Sequence, residues 1–297
     1  MNKKDKKKLI VIVGPTASGK SDLAVKLAKK FNGEVISADS RQVYKGMDIG
    51  TGKITKKEMQ GIPHYLLDVA NPKRKFTVAQ YQKLVFKAIN KIHKKGKLPI
   101  ICGGSAFYIQ SIIDQISIPK VPPDWNLRKK LSKKPVGELY QILKNLDPKR
   151  AKNIDKKNPR RLIRAIEIAE KLGKVPNLEK KPLPYPVLII GIKKDRDELK
   201  KLIKKRLLKR IKKGMIAEVK KLKNSGLSWK RLEEFGLEYR WIAYYLQKKI
   251  SYQEMIEKLQ KEIEKFAKRQ MTWWKSDKRI FWVKSLKEAE KIVKKFL

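Results

Sequence analysis

The sequence has little cysteine, little acid and no long apolar run. One cysteine, Cys102, stands in 297 residues. That excludes a disulfide framework and any Cys-based zinc finger, and a lone thiol fits a reducing compartment. The longest apolar stretches, residues 9–13 and 187–190, fall far short of the ~20 needed to span a bilayer. Residues 1–8 are too polar for a secretory signal. The expectation is a soluble, cytoplasmic protein with no membrane partner. Asp and Glu total 29 against 75 Lys and Arg, a formal net charge of +46. A surplus of this size attracts polyanions, nucleic acid above all. Yet only 14 of the 75 are Arg, and the Lys are spread along the whole chain. Most of the surplus therefore reads as a Lys bias on solvated faces, and a nucleic-acid partner has to be argued from particular residues.

What is present is a globular pattern. Hydrophobic residues make up 41%, too many for a disordered chain, and the length suffices for one large core or two modest ones. Leu9-Ile10-Val11-Ile12-Val13 is a continuous β-branched run, as expected of a strand buried on both faces. Residues 34–38, 98–102, 187–192 and 279–283 read the same way. Helical patterns lie between several of them, at 22–31 and at Val78, Tyr81, Leu84, Val85, Ala88, Ile89 and Ile92, the second ending at Gly96. Strand and helix alternation predicts an α/β fold, a P-loop-like parallel sheet flanked by helices. The middle differs. Pro119, Pro122 and Pro123 precede, and Pro182, Pro184 and Pro186 follow, a stretch with helical patterns at 127–131, 136–146 and 159–172. The expected organisation is a catalytic core of 1–114 and 187–297 with an all-helical insert at 115–186. Residues 197–266 read as basic helices with a break at 226–236, and 251–274 as one long helix.

Gly14-Pro15-Thr16-Ala17-Ser18-Gly19-Lys20-Ser21 fits G-x-x-x-x-G-K-[ST], with a buried strand before it and an amphipathic helix after it. Glycines let consecutive backbone N–H groups curl toward phosphate oxygens, and the helix N-terminus adds partial positive charge. Lys20 supplies a mobile cation, and the Ser21 hydroxyl is placed to hold Mg²⁺. An NTP is the default occupant, but any diphosphate fits the same cradle. Asp39, after the second strand, projects toward that ligand, because strand C-termini in a parallel sheet face the crevice. It reads equally as a general base or metal partner and as a helix cap.

These residues resemble the tRNA dimethylallyltransferase (tRNA isopentenyltransferase) family. The resemblance is carried by the phosphate loop, Ser37-Ala38-Asp39-Ser40-Arg41-Gln42-Val43-Tyr44, Met47-Asp48-Ile49-Gly50-Thr51-Gly52-Lys53 and Gly61-Ile62-Pro63-His64-Tyr65-Leu66-Leu67-Asp68. It continues through Gly103-Gly104-Ser105-Ala106-Phe107-Tyr108, Asn158-Pro159-Arg160-Arg161-Leu162-Ile163-Arg164-Ala165, Gly214-Met215-Ile216-Ala217-Glu218-Val219 and Lys268-Arg269-Gln270-Met271-Thr272-Trp273. Two positions depart from the family: Ser105 stands where Thr is usual, and Glu238 where Gly is usual. A C-terminal zinc finger, found in some members, is excluded by the lone cysteine.

The resemblance implies transfer of a dimethylallyl group from dimethylallyl diphosphate to the exocyclic amine of the adenosine just 3′ of a tRNA anticodon, position 37. The phosphate loop then holds a diphosphate leaving group, with Thr16 bonding it through hydroxyl and backbone and Arg206 and Arg210 nearby. Asp39 becomes the base, with Lys20, Ser105 and Arg128 completing the catalytic set. Contact with tRNA is implied for Asp39, Ser40, Arg41, Gln42, Ser105, Arg128, Arg160, Arg161, Leu162, Ile163, Arg164, Phe235, Gly236, Leu237, Glu238, Tyr239 and Arg240. The target base has to leave the anticodon stack to react. Mg²⁺ is the expected cofactor and a monomer the expected state.

Other residues invite blander readings. His93 reads as exposed beside Lys94 and Lys95, and His64 carries no assigned chemistry. Trp229, Trp241, Tyr244, Tyr245, Trp273 and Trp274 read as packing rather than base stacking. The alternatives are a P-loop nucleotide or metabolite kinase, an adenylate isopentenyltransferase, and a non-catalytic RNA-binding protein. A kinase has no reason to keep residues 39–44 together with the Arg160–Arg164 cluster. An enzyme for free nucleotide has no use for the basic insert. The intact phosphate loop and Asp39 argue against simple binding.

Overall fold

The computed structural model describes residues 7–297, so most of the polar opening segment, residues 1–6, lies outside it. The chain divides into two compact units, residues 1–115 with 182–297, and residues 116–181.

The first unit begins with β1 (Leu9–Val13), α1 (Lys20–Lys30), β2 (Gly33–Ser37), α2 (Lys56–Met59), β3 (His64–Tyr65), α3 (Val78–Lys94), β4 (Leu98–Cys102) and α4 (Ala106–Ile113). The second unit holds α5 (Trp125–Leu131), α6 (Val136–Leu146), α7 (Pro148–Lys152) and α8 (Pro159–Leu172). The first unit resumes with β5 (Val187–Ile192), α9 (Arg196–Lys212), α10 (Met215–Asn224), α11 (Trp229–Phe235), α12 (Leu237–Leu246), α13 (Tyr252–Lys275), β6 (Ile280–Val283) and α14 (Leu286–Phe296).

Six strands form one parallel sheet in the order β3-β2-β4-β1-β5-β6. The apolar runs form its centre. Every residue of β1, β2 and β4 is buried, as parallel strands covered on both faces require. Leu9, Val11 and Val13 face one cluster with Ile89, Ile109 and Trp274. Ile10 and Ile12 face the other, with Leu27, Ala289 and Val293. A third cluster, around Met215, Leu232, Tyr239, Met255 and Leu259, joins helices α9–α13.

Sequence and structure differ in places. The short edge strand β3 escapes the apolar pattern because only two residues pair with β2. The expected break at 226–236 contains α11, which Ser228 caps by accepting from the Arg231 N–H. The second unit is shorter than the proline markers suggest. Pro182, Pro184 and Pro186 belong to the first unit, where Leu183 and Tyr185 pack on the sheet's core. His93 is half-buried, with Nε2 2.9 Å from the Lys8 carbonyl oxygen. Trp274 is buried, whereas Trp273 is exposed. No helix among the described residues is long and apolar enough to cross a membrane.

In the second unit, Leu139, Leu143, Leu162 and Ile166 are fully buried in its own core. Glu167 is buried beside them, and its carboxylate gathers charge. It accepts two bonds from Arg128 (2.8 and 2.6 Å), one from Arg164, and one from the Asp124 N–H at 2.6 Å.

Candidate active site

The strand order explains the site. β4 lies between β1 and β2, so the loops leaving their C-terminal ends meet at one end of the strands. These are the phosphate loop 14–21, the turn 38–42 and the turn 103–105.

The phosphate loop uses backbone freedom where it needs it. Gly14 has φ 141°, and a Cβ there would lie 3.1 Å from the Ile192 carbonyl oxygen. Gly19 has φ 89° and opens α1 with no side-chain cap, which leaves the helix N-terminus for an anion. Ser18 is buried, and its Oγ has no hydrogen-bond partner among the described residues. A buried hydroxyl without a partner inside such a loop fits an anion oxygen. Lys20 Nζ donates to the Pro15 carbonyl at 2.6 Å. Burial drives the Lys20 pKa down to about 8, with Arg206 pushing the same way and Cys102 and Asp39 opposing. Arg206 Nη2 donates to the Thr16 hydroxyl. Burial also lowers the Arg206 pKa, and the Arg210 charge one turn away adds to this.

Thr16 is thus engaged within the protein. Its hydroxyl meets Arg206, and its backbone N–H donates to Gln270 Oε1 at 2.7 Å. These are the two groups, hydroxyl and backbone N–H, that the resemblance implies for the diphosphate.

Asp39 closes a turn rather than capping a helix. Its Oδ1 accepts from the N–H groups of Arg41 (2.8 Å) and Gln42 (3.3 Å), and no helix follows. Ser105 Oγ accepts from the Ser40 N–H at 2.8 Å, and the Ser105 N–H donates to the Ala38 carbonyl at 3.0 Å. The two turns are packed so closely that a Cβ on Gly103 would lie 2.1 Å from the Ala38 carbonyl oxygen. Asp39, Ser40 and Ser105 therefore stand together.

Arg41 and Gln42 hold structure. Arg41 Nε donates to the Phe235 carbonyl at 2.6 Å, and burial lowers the Arg41 pKa. Gln42 Nε2 reaches the Gly52 carbonyl at 3.2 Å, and its Oε1 accepts from the Ser37 hydroxyl at 3.2 Å. Further along, Phe235, Glu238 and Tyr239 are buried, with Gly236, Leu237 and Arg240 half-exposed between and after them. Glu238 Oε1 accepts from Arg210 at 3.2 Å; burial raises its pKa against the pull of that guanidinium. Tyr239 donates to Glu218 at 2.8 Å. Phe235 and Tyr239 belong to the core that joins helices α9–α13.

In the second unit, Arg160 and Arg161 are exposed, and Arg161 lies 3.7 Å from Asp155. Leu162 faces the core and Ile163 packs against it. Arg164 and Arg128 are drawn to Glu167, and Arg128 also lies 5.0 Å from the Trp125 ring centre.

Two polar residues that stand in the sequence only as landmarks hold loops of the site. Glu218 accepts from the N–H groups of Asp48 (2.8 Å), Ile49 (2.6 Å) and Gly50 (3.0 Å), fixing the 48–52 loop. Gln270 bridges the phosphate loop and Gly104. A glutamine within the buried stripe of α13 was the signal available for the second.

As for a metal, the Ser21 hydroxyl is exposed on the first turn of α1. No group of three His, Cys, Asp or Glu among the described residues is placed to hold an ion. A hard cation here would take most of its oxygens from a diphosphate and water, which suits Mg²⁺.

Residues 42–277 match the family model described as IPP transferase. The chain is 43% identical to tRNA dimethylallyltransferase 1 of Syntrophus aciditrophicus, over 93% of each protein. It is 41% identical to the tRNA dimethylallyltransferase of Acetivibrio thermocellus, over 96% of this chain and 95% of that one. The tRNA isopentenylpyrophosphate transferase structure from Bacillus halodurans superposes with a TM-score of 0.74 at 36% identity, covering 98% and 95% of the two chains. A eukaryotic dimethylallyltransferase solved acting on tRNA gives 0.81 at 27% identity, covering 98% of this chain and 77% of that one.

Proposed function

This chain belongs to the IPP transferase family, and from that premise we propose that it transfers the dimethylallyl group of dimethylallyl diphosphate to the N6 amine of adenosine 37 in tRNA. The observation that carries the chemistry is the meeting of Lys20 and Arg206 on one side of the site with Asp39 and Ser105 on the other.

The bond that forms joins N6 to the donor's C1. The bond that breaks joins C1 to the diphosphate oxygen, and the electron pair leaves with the diphosphate. Negative charge grows on that leaving group, and fixed donors aimed at it lower the barrier. Lys20, Arg206, the Ser18 hydroxyl and the helix N-terminus are such donors. The adenine amine is a weak nucleophile because its lone pair is delocalised into the ring. Asp39 takes its proton during attack, an effect worth roughly 10²–10⁴ in rate. The Ser105 hydroxyl, fixed by the Ser40 N–H, supplies a polar contact beside the reacting amine.

Mg²⁺ fits as a companion of the diphosphate, with Ser21 as its protein ligand; it would neutralise charge on the leaving group. Binding of tRNA draws on exposed cations, among them Arg160 and Arg161. Arg128, tied to Glu167 and set beside the exposed Trp125, offers a planar cation and ring for an unstacked base. A tRNA substrate fits a cytoplasmic enzyme.

The test is incubation with dimethylallyl diphosphate and unmodified tRNA, followed by mass analysis of the nucleosides. The expected product is adenosine heavier by one dimethylallyl group in place of one hydrogen. An unmodified nucleoside pool overturns the reading.

A further inference from the structure

The inward stripe of α13 consists of Met255, Leu259, Ile263, Ala267, Gln270 and Trp274. Five of these side chains are apolar in bulk, and one is a carboxamide. Gln270 is only 3% exposed, so both ends of its amide need partners. Both have them. Oε1 accepts from the Thr16 N–H at 2.7 Å, and Nε2 donates to the Gly104 carbonyl at 2.8 Å. The two partners lie in different loops. Thr16 belongs to the phosphate loop, on the donor side. Gly104 belongs to the turn that carries Ser105 and abuts Asp39, on the acceptor side. The fit is close. A Cβ on Gly104 would come within 2.6 Å of Gln270 Nε2 and 4.0 Å of Asp39 Oδ2.

We propose that Gln270 is a positioning residue whose carboxamide sets the spacing between the diphosphate loop and the Asp39–Ser105 turn, so that the donor carbon and the acceptor amine meet in line. The inference rests on the proposed prenyl transfer and deepens it. In that displacement the N6–C1 bond forms as the C1–O bond breaks, diphosphate departs with the electron pair, and Asp39 receives the proton. Attacking nitrogen, carbon and leaving oxygen have to be nearly collinear, and misplacement by about 1 Å costs on the order of 10²-fold in rate. A buried residue bonded to both loops acts on this distance.

Gln270→Met keeps the length and bulk of the side chain and removes both hydrogen bonds. Single-turnover transfer at saturating donor and tRNA reads out rate and amplitude separately. The expected result is a rate lowered roughly 10- to 10²-fold at full amplitude, with the donor Kd within about threefold of wild type. A merely structural role would lower the amplitude instead, through loss of folded protein. Gln270→Glu supplies a second, independent reading. Its carboxylate still accepts from Thr16 but repels the Gly104 carbonyl, whereas its protonated form both accepts and donates, as the amide does. The ratio of its rate to wild type should therefore rise as pH falls.

A Gln270→Met rate within twofold of wild type overturns the inference. So does a lowered amplitude at an unchanged rate. If Gln270→Met does not fold, a Gln270→Glu ratio that does not change with pH overturns it. A wild-type protein that transfers no dimethylallyl group overturns the proposed function and this inference together. An active wild type with indifferent variants overturns only the role of Gln270.

Discussion

The backbone N–H of Arg41 donates to Oδ1 of Asp39 at 2.8 Å, and the next N–H, of Gln42, reaches the same oxygen at 3.3 Å. No hydrogen bond among the described residues goes to Oδ2. Turn closure thus occupies one oxygen of the carboxylate, and the base catalysis proposed for Asp39 would use the other. Asp39→Asn separates them. The amide keeps the turn, since Asn and Asp cap about equally well, and loses the proton acceptor. The single-turnover rate at saturating tRNA should fall roughly 10²–10⁴-fold, with Tm and tRNA affinity close to wild type. A normal rate refutes Asp39 as the base.

Lys20 carries a pH signature. Burial holds its pKa near 8 in the donor-free protein, so it loses its proton as pH rises past that value. A bound diphosphate favours the ammonium form, so binding above that pH takes up a proton. Donor affinity should be flat between about pH 7 and 8 and then weaken, by at most about tenfold per pH unit for one proton. Lys20→Met should abolish this slope and lower transfer by at least ~10²-fold, the scale for losing a donor to developing charge. Calorimetric titrations across pH 7–10 check the first part. A slope that persists in Lys20→Met assigns it to another group.

Exposed cations of the second unit should set the salt dependence. Replacing both Arg160 and Arg161 by Glu removes phosphate contacts, so tRNA affinity should fall and its dependence on salt flatten. Dimethylallyl diphosphate binding should not change. An unaltered salt slope would put the tRNA phosphates elsewhere. Arg164 is unsuited to this test, because a carboxylate there would face Glu167.

Glu167 should matter for stability. Its buried carboxylate neutralises Arg128 and Arg164 and accepts the Asp124 N–H. Glu167→Ala strips the partner from both guanidiniums and should cost about 3 kcal/mol. Arg161→Ala breaks only an exposed 3.7 Å pair and should fall within about 0.5 kcal/mol of wild type. Denaturant melts of the two variants give the comparison. Equal losses would show that the Glu167 cluster is no stronger than a surface pair.

Sequence alone determined what depends on neighbours along the chain. Buried strands announce themselves because a strand covered on both faces needs apolar residues at every position, as in Leu9–Val13. The phosphate loop is legible because its backbone has to curl within eight residues, which asks for Gly14 and Gly19 at fixed spacing. The resemblance to a known family added the role of Asp39.

Tertiary structure alone decided which polar groups meet. Thr16 and Gln270 are 254 positions apart, Thr16 and Arg206 are 190 apart, and Glu218 lies about 170 residues from the loop it fixes. The same holds for the burial of Phe235 and Tyr239, for which the resemblance implies tRNA contact. A local pattern records that a side chain faces inward but not what it faces. That depends on strand order and on how α9–α13 pack, and a buried polar group takes whichever partner this packing brings within reach, because leaving it unpaired costs more than the bond itself contributes.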